Sequence, residues 1–267
     1  MRTHLSLFTG IGGLDLAAEW AGFTTVGQCE WADFPTKVLE KNWPNFPPPG
    51  LSGRHRWRDI RTLTGEDFYA RTGLRTVDVV SGGFPCQPHS LCGERLASRD
   101  KRDLWDEYAR VVREIRPQWV VGENVYGLLS SDNGRFFGRI LGDLAEMGYS
   151  VGWCCYPARW VGADFEGERV FIVAASDGLR RRGMAKNHKR EYTDLHHEIL
   201  HAKKTDAEYI PLHVEWAKSD ASSGYERDDD GLSEGVDRLT ALGNAVVPQQ
   251  AYPIFKAIME ELERNGE

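Results

Sequence analysis

The sequence predicts an α/β fold built on a mostly parallel, doubly wound sheet, with a small polar region set in before its last helix. Three observations predict it. Short apolar runs of strand length alternate with stretches of helical spacing over residues 4–176, the pattern of repeated βα units. A glycine-rich run, FTGIGG at 8–13, falls where the first strand gives way to the first helix, the place where such sheets hold ligands. With 267 residues and 41% hydrophobic content, the chain suits one large domain, alone or with a small appendage.

The elements follow in order. HLSLF (4–8) is short and apolar and reads as a strand; LDLAAEWA (14–21) has helical spacing. TTVGQCE (24–30) reads as a strand and DFPTKVLEKNW (33–43) as a helix, followed by the turn-rich PNFPPPG (44–50). VDVVS (77–81) reads as a buried strand. LWDEYARVVREI (104–115) carries apolar residues at helical spacing and stops at Pro117. QWVVGE (118–123) is a strand. RFFGRILGDLAEMG (135–148) is a helix with Gly148 as its C-terminal cap. YSVGWCC (149–155) and RVFIVAAS (169–176) read as strands. Residues 177–235 are polar and lack sheet-like runs. The core signal returns in 238–262, which ends in an amphipathic helix. The division expected is 1–176 for the main domain, 177–235 for the polar region and 236–267 for a segment that returns to the main domain.

Composition narrows the function. No apolar run approaches the roughly 18 residues of a membrane span, and the N-terminal residues lack a signal-peptide pattern. A cytoplasmic protein is expected, with no membrane partner. The five cysteines, Cys29, Cys86, Cys92, Cys154 and Cys155, are odd in number and lack CxxC spacing. That argues against a disulfide framework and a zinc site. The net charge of −7 is mildly unfavourable for a nucleic-acid partner, but net charge hides its distribution.

Several residues stand where chemistry is done, each beside an ordinary reading. The glycines Gly10, Gly12 and Gly13 let backbone approach a ligand ahead of a helix N-terminus; alone, such a turn is as readily structural. Glu30 ends the second strand about 20 residues later, where an acid commonly holds ribose hydroxyls; it is otherwise a surface Glu. Asp59 in WRDI ends a third strand or caps a turn. The three together describe a nucleoside-type cofactor across the strand ends, and no GxxxxGK[ST] loop favours a nucleoside triphosphate. Cys86 lies in GGFPCQPHS, after a strand and within a turn of Gly82, Gly83 and Pro85. A free cysteine is otherwise a core filler, and Cys92 is taken as a bystander. Glu123 follows a buried apolar run in QWVVGENV, and Arg169 opens another apolar strand.

FTGIGG, Glu30, Asp59-Ile60, GGFPCQPHS, GENV, GERVFIV and GNAVVPQ occur in this order. The series resembles the ordered motifs of the DNA (cytosine-5)-methyltransferases of bacterial and phage type, over roughly residues 4–176 and 236–262. The resemblance implies a Rossmann-like methyltransferase fold and S-adenosyl-L-methionine as cofactor. It implies Cys86 as the nucleophile that adds to cytosine carbon 6, Glu123 as the acid that holds ring N3 and the exocyclic amine, and Arg169 as the partner of O2. In the cofactor pocket it implies Phe8 and the glycines under the methionine and adenosine parts, and Glu30 on the ribose hydroxyls. Trp31 and Ile60 would flank the adenine, Asp59 would take its amine, Gly83, Pro85 and Leu104 would complete the wall, and Asn244 would reach in from the C-terminal segment. The partner implied is double-stranded DNA with the target base flipped out, and a monomer and no metal are expected. Ser90, Arg95, Arg99 and Arg102, in the polar loop 87–103, are candidate DNA contacts or plain solvated charges.

The chain departs from the family in three places. The usual Gln-x-Arg-x-Arg before the last strand is here Phe165-Glu166-Gly167-Glu168-Arg169, so support for the target nucleotide falls to other groups, with Arg159 one candidate. His89 stands where an aromatic residue is commoner. The target-recognition region, within 177–235, is short. Residues 176–205 hold eight Lys and Arg against four acids, whereas 206–234 hold two against nine. The basic half, with Arg180, Arg181 and Arg182, could track phosphates or form a solvated linker. His196, His197 and His201 lack companion ligands for a metal site. Two other functions stay open: methylation of cytosine in RNA such as tRNA, and a catalytically weak, cofactor-binding DNA-binding protein.

Overall fold

The computed structural model describes residues 1–47, 55–85, 104–177 and 245–264. Seven strands form one sheet: β1 (Arg2–Leu7), β2 (Phe23–Cys29), β3 (Arg56–Trp57), β4 (Val79–Gly83), β5 (Trp119–Val125), β6 (Tyr149–Tyr156) and β7 (Arg169–Ser176). Their spatial order is β3-β2-β1-β4-β5-β7-β6. Among the described residues, six α-helices cover the faces: α1 (Gly13–Trp20), α2 (Asp33–Asn42), α3 (Gly65–Thr72), α4 (Trp105–Ile115), α5 (Arg135–Glu146) and α6 (Pro248–Arg264).

The first five strands pair in parallel, but β7 runs antiparallel to both β5 and β6. The cause is the connection. Parallel neighbours need a crossover of a dozen or more residues, usually a helix; residues 157–168 hold only a 3-10 turn at Ala158–Val161, so the chain doubles back. The inversion brings the first residue of β7, Arg169, to the edge where the parallel strands end, paired with Val125.

Alternation along the strands builds two cores. Val80, Val120 and Ile172 face one side with Tyr108, Val111, Val112 and Ile115 of α4 and Ile140 and Leu144 of α5. Val79, Val121, Phe171 and Val173 face the other with Leu14, Ala17 and Ala18 of α1. Ile254, Phe255, Ile258 and Leu262 of α6 close that second core, each at most 2% exposed. Burial at about 1.5–3 kcal/mol per large apolar side chain makes α6 a large contributor to the fold although it lies far along the chain. Arg2 donates to the Leu262 carbonyl at 2.6 Å, fastening the first strand to that helix.

Two elements differ from the sequence expectation. The sequence reading has no helix at α3, although Thr64 accepts from the Asp67 amide at 3.1 Å as its N-cap and TGED is an N-terminus signal. β4 begins later and extends to Gly83 rather than stopping at Ser81, because Gly82 and Gly83 pair with Gly122 and Glu123 of β5. These glycines are ladder residues, not turn residues.

Candidate active site

Strand pairing sets the site out as a row along one sheet edge. Leu7 pairs with Cys29 and with Gly82, Cys29 with Trp57, and Gly83 with Glu123. The residues that follow these strand ends, Phe8, Glu30, Asp59 and Phe84, therefore leave the sheet on the side where Arg169 enters it.

At one end, the glycine loop is sewn to β2: the Thr9 amide donates to the Cys29 carbonyl at 3.0 Å. Gly10 has φ +57, and a side chain added there would meet open space. Its amide donates to one carboxylate oxygen of Glu30 and the Ala32 amide to the other, both at 2.7 Å. The carboxylate is thus held in place with further acceptor capacity. Trp31, beside it, presents an indole that is 68% exposed. Asp59 caps the 3-10 turn Ile60–Thr62, accepting from the Arg61 amide at 3.0 Å; it is a turn cap just beyond the short β3. Ile60 is buried. Phe8 has φ +50 and its ring lies parallel to that of Tyr108, centroids 6.4 Å apart. Leu104 is the residue before α4, and Pro85 is half-buried.

At the other end lies Glu123, 5% exposed, with Arg169 Nε 3.0 Å from its Oε1. Burial pushes the Glu123 carboxyl up to about 7, and Arg169 pulls the other way. Burial is the larger effect because the dry surroundings penalise the anion more than one partly solvated guanidinium repays. Gly83 makes room for this carboxylate: a Cβ there would sit 2.7 Å from Glu123 Oε2. Asn124 has no role in the sequence reading beyond its place in GENV. Its Nδ2 donates to the Phe84 carbonyl at 2.8 Å and its Oδ1 accepts from the Val125 amide at 2.9 Å, so it fixes the backbone two residues before Cys86.

Cys86, Ser90, Arg95, Arg99, Arg102, Arg180, Arg181, Arg182 and Asn244 lie outside the described residues, as do Cys92, His89 and the three histidines at 196–201. Of the described cysteines, burial pushes the Cys29 and Cys154 thiols up to about 12 and also raises Cys155. None of the three is prepared as a thiolate. Arg159 pairs with Glu166 at 2.7 Å, and the Ala158 amide donates to the Glu166 carbonyl at 2.7 Å, which brings Arg159 beside the segment that lacks the Gln-x-Arg-x-Arg pattern. The C-terminal helix reaches the same loop: Gln250 Nε2 donates to the carbonyls of Tyr156 at 2.5 Å and Gly167 at 3.0 Å. No helix among the described residues is long and apolar enough to cross a membrane.

A family model described as "C-5 cytosine-specific DNA methylase" matches residues 2–221. The chain belongs to this family. Among similar proteins, the type II methyltransferase M.Eco47II of Escherichia coli is 36% identical over 185 residues, covering 66% of this chain and 40% of that protein. M.NgoBI of Neisseria gonorrhoeae is 31% identical over 180 residues, covering 67% and 52%. The chain spans between about a third and a half of the length of the curated relatives it matches. The crystal structure of the S. pombe Dnmt2 methyltransferase superposes with a TM-score of 0.57 at 15% identity, covering 99% of both chains. That of a Spodoptera frugiperda DNMT2 mutant gives 0.54 at 15%, covering all of both. At such identities the agreement concerns the fold: a Rossmann-like methyltransferase sheet.

Proposed function

We propose that this chain transfers a methyl group from S-adenosyl-L-methionine to carbon 5 of cytosine in double-stranded DNA, through a covalent adduct between Cys86 and a flipped-out base. The observation that carries the reading is the buried Glu123–Arg169 pair, 3.0 Å apart, at the same sheet edge as the start of the Cys86 loop and the Glu30 carboxylate.

The residues present fit the cofactor. Glu30 offers two fixed carboxylate oxygens to a ribose diol, Trp31 an exposed ring face to adenine, and Asp59 an acceptor to its amine. Ile60, Phe8, Gly12, Gly13, Gly83, Pro85, Leu104 and Asn244 are assigned to the remaining wall, around the open space at Gly10. S-adenosyl-L-methionine, when bound, supplies the methyl group that the activated carbon accepts.

The chain's own residues prepare that carbon. The Cys86 thiolate adds to carbon 6, and the electrons of the 5,6 double bond move into the ring. Glu123, titrating near neutrality, gives its proton to N3, while Arg169 offsets the charge that develops at O2. After carbon 5 has been alkylated, its proton passes to solvent water, the 5,6 double bond re-forms as the thiolate leaves, and N3 returns its proton to Glu123. Ser90, Arg95, Arg99 and Arg180 to Arg182 are assigned to the DNA. The reading also takes a monomer as the working unit and a reducing, cytoplasmic setting, in keeping with free thiols.

The test is a trap. DNA carrying 5-fluorocytosine cannot lose its carbon-5 substituent, so the wild-type protein with S-adenosyl-L-methionine should form an adduct that survives denaturing electrophoresis. Cys86→Ala should form none. No adduct with the wild type, an undiminished one with Cys86→Ala, or label from the cofactor entering tRNA rather than DNA would overturn the proposal.

A further inference from the structure

The contacts around Arg110 have no part in the chemistry above, yet they reach the adenine end of the site. Arg110 lies on α4, and its guanidinium crosses to the turn that carries Asp59. Nη2 donates to the Ile60 carbonyl at 2.8 Å and Nη1 to the Leu63 carbonyl at 3.1 Å. The same guanidinium is flanked by Glu107 at 2.8 Å and Glu114 at 3.1 Å, one helical turn to either side. Glu114 uses its other oxygen to accept from the Gly65 amide at 2.8 Å, at the start of α3. One face of α4 therefore grips three backbone groups between residues 60 and 65. The charges converge: Glu30, Asp59 and Arg110 all act on the Cys29 thiol at the end of β2, the two acids against the cation.

The grip has a consequence for geometry. β3 has only two residues, so its ladder holds the following turn weakly. Among the described residues, Asp59 orients its carboxylate by local contacts with Arg61. Beyond the ladder, Arg58, the residue before Asp59, is tied to the Trp31 carbonyl at 2.7 Å, Ile60 and Leu63 are buried in the core, and Arg110 holds the far side of the turn to α4. Two charge-assisted hydrogen bonds in a rigid fork fix both distance and direction, which a single ammonium does not.

We propose that Arg110 is a positioning residue for the cofactor: it staples the Asp59–Leu63 turn to α4 and so sets the acceptor that selects adenine. The proposal rests on the assignment of Asp59 to the adenine amine. Calorimetry with the purified full chain tests it, using S-adenosylhomocysteine and its inosine analogue, in which a carbonyl replaces the amine. Wild type should favour the adenosine compound. Arg110→Met should bind that compound ~10–30-fold more weakly, the loss of hydrogen bonds to a charged donor, and should lose most of its preference over the inosine analogue. Arg110→Lys, which keeps the charge without the fork, should fall between the two. A merely structural role would lower the melting temperature and leave the selectivity intact. Wild-type selectivity retained in Arg110→Met, or in Arg110→Lys should the first variant not fold, overturns the staple alone. Failure of the wild type to bind either compound overturns the cofactor assignment, and the staple's role with it.

Discussion

Glu123 shows how one residue's surroundings set its chemistry. Its strand buries it, Gly83 leaves space for its carboxylate, and Arg169 stands 3.0 Å away. Burial raises its pKa from 4.5 to about 7. A raised carboxyl favours the protonated fold, so the stability linked to it is present below about 4.5 and is lost as pH rises through about 7. The proposed catalysis needs that proton, so kcat/KM should fall on the alkaline side with a midpoint near 7. Glu123→Gln should lose about 10²–10⁴-fold in rate and also lose that limb; a variant that keeps the limb would assign it to another group. At this scale the sequence was legible where chemistry restricts residue type: PCQ, ENV and the lone Arg169 stood out. The roles of Gly83, Asn124 and Arg110 did not, because each acts through a contact with a residue from another strand or turn. Gly83 reads as a turn residue until Glu123 is seen beside it.

At the scale of elements, the periodicities located nearly every strand and helix, because burial on one face imposes a pattern that survives without structural knowledge. Two elements depart from that pattern, each for its own reason. α3 is eight residues long and polar on most of its surface, so its start signal lacked a convincing apolar stripe. β4 was cut short because glycine in a strand resembles a terminus. The junction of α1 with the segment before α6 makes a measurable case. A Cβ on Gly13 would lie 2.3 Å from the Val246 carbonyl oxygen. Helix propensity favours Gly13→Ala by about 1 kcal/mol, whereas the backbone clash costs about 1–3 kcal/mol. The clash should prevail, and the denaturant midpoint should drop. A rise would mean that the C-terminal segment shifts freely and does not depend on this close approach.

At the scale of the whole molecule, two buried polar groups lean in opposite directions with pH. His4 is enclosed between Thr25 at 2.9 Å and Ser81 at 2.7 Å, and burial lowers its pKa from 6.5 to about 3. The unfolded chain takes the proton first, so stability falls as pH drops from 6.5 towards 3. Asp15 accepts from Ser6 at 2.7 Å and Gln28 at 2.8 Å, and burial raises it from 3.8 to about 6. Its contribution is present below 3.8 and is lost as pH rises through 6. Between pH 6 and 4 the two slopes oppose each other, each about 1.4 kcal/mol per pH unit at most. Asp15→Asn keeps the acceptor for Gln28 and removes one slope. Its urea midpoint should therefore fall more steeply than that of the wild type over that interval; parallel curves would show that Asp15 is ionised in the fold. Neither group was legible in the sequence, where a His and an Asp at such places look like surface residues.

The helix that seals one face of the sheet is made well after the strands it covers. During synthesis, Leu14, Ala17, Ala18, Val79 and Val121 are complete once β7 has been made, but their cover, residues 254–262, emerges some 80 residues later. At ~5–20 residues per second, a nascent chain holds this apolar wall without its α6 cover for about 4–16 s. That interval is when a chaperone would gain the most from holding this protein, and when neighbouring chains on one message are most prone to stick together.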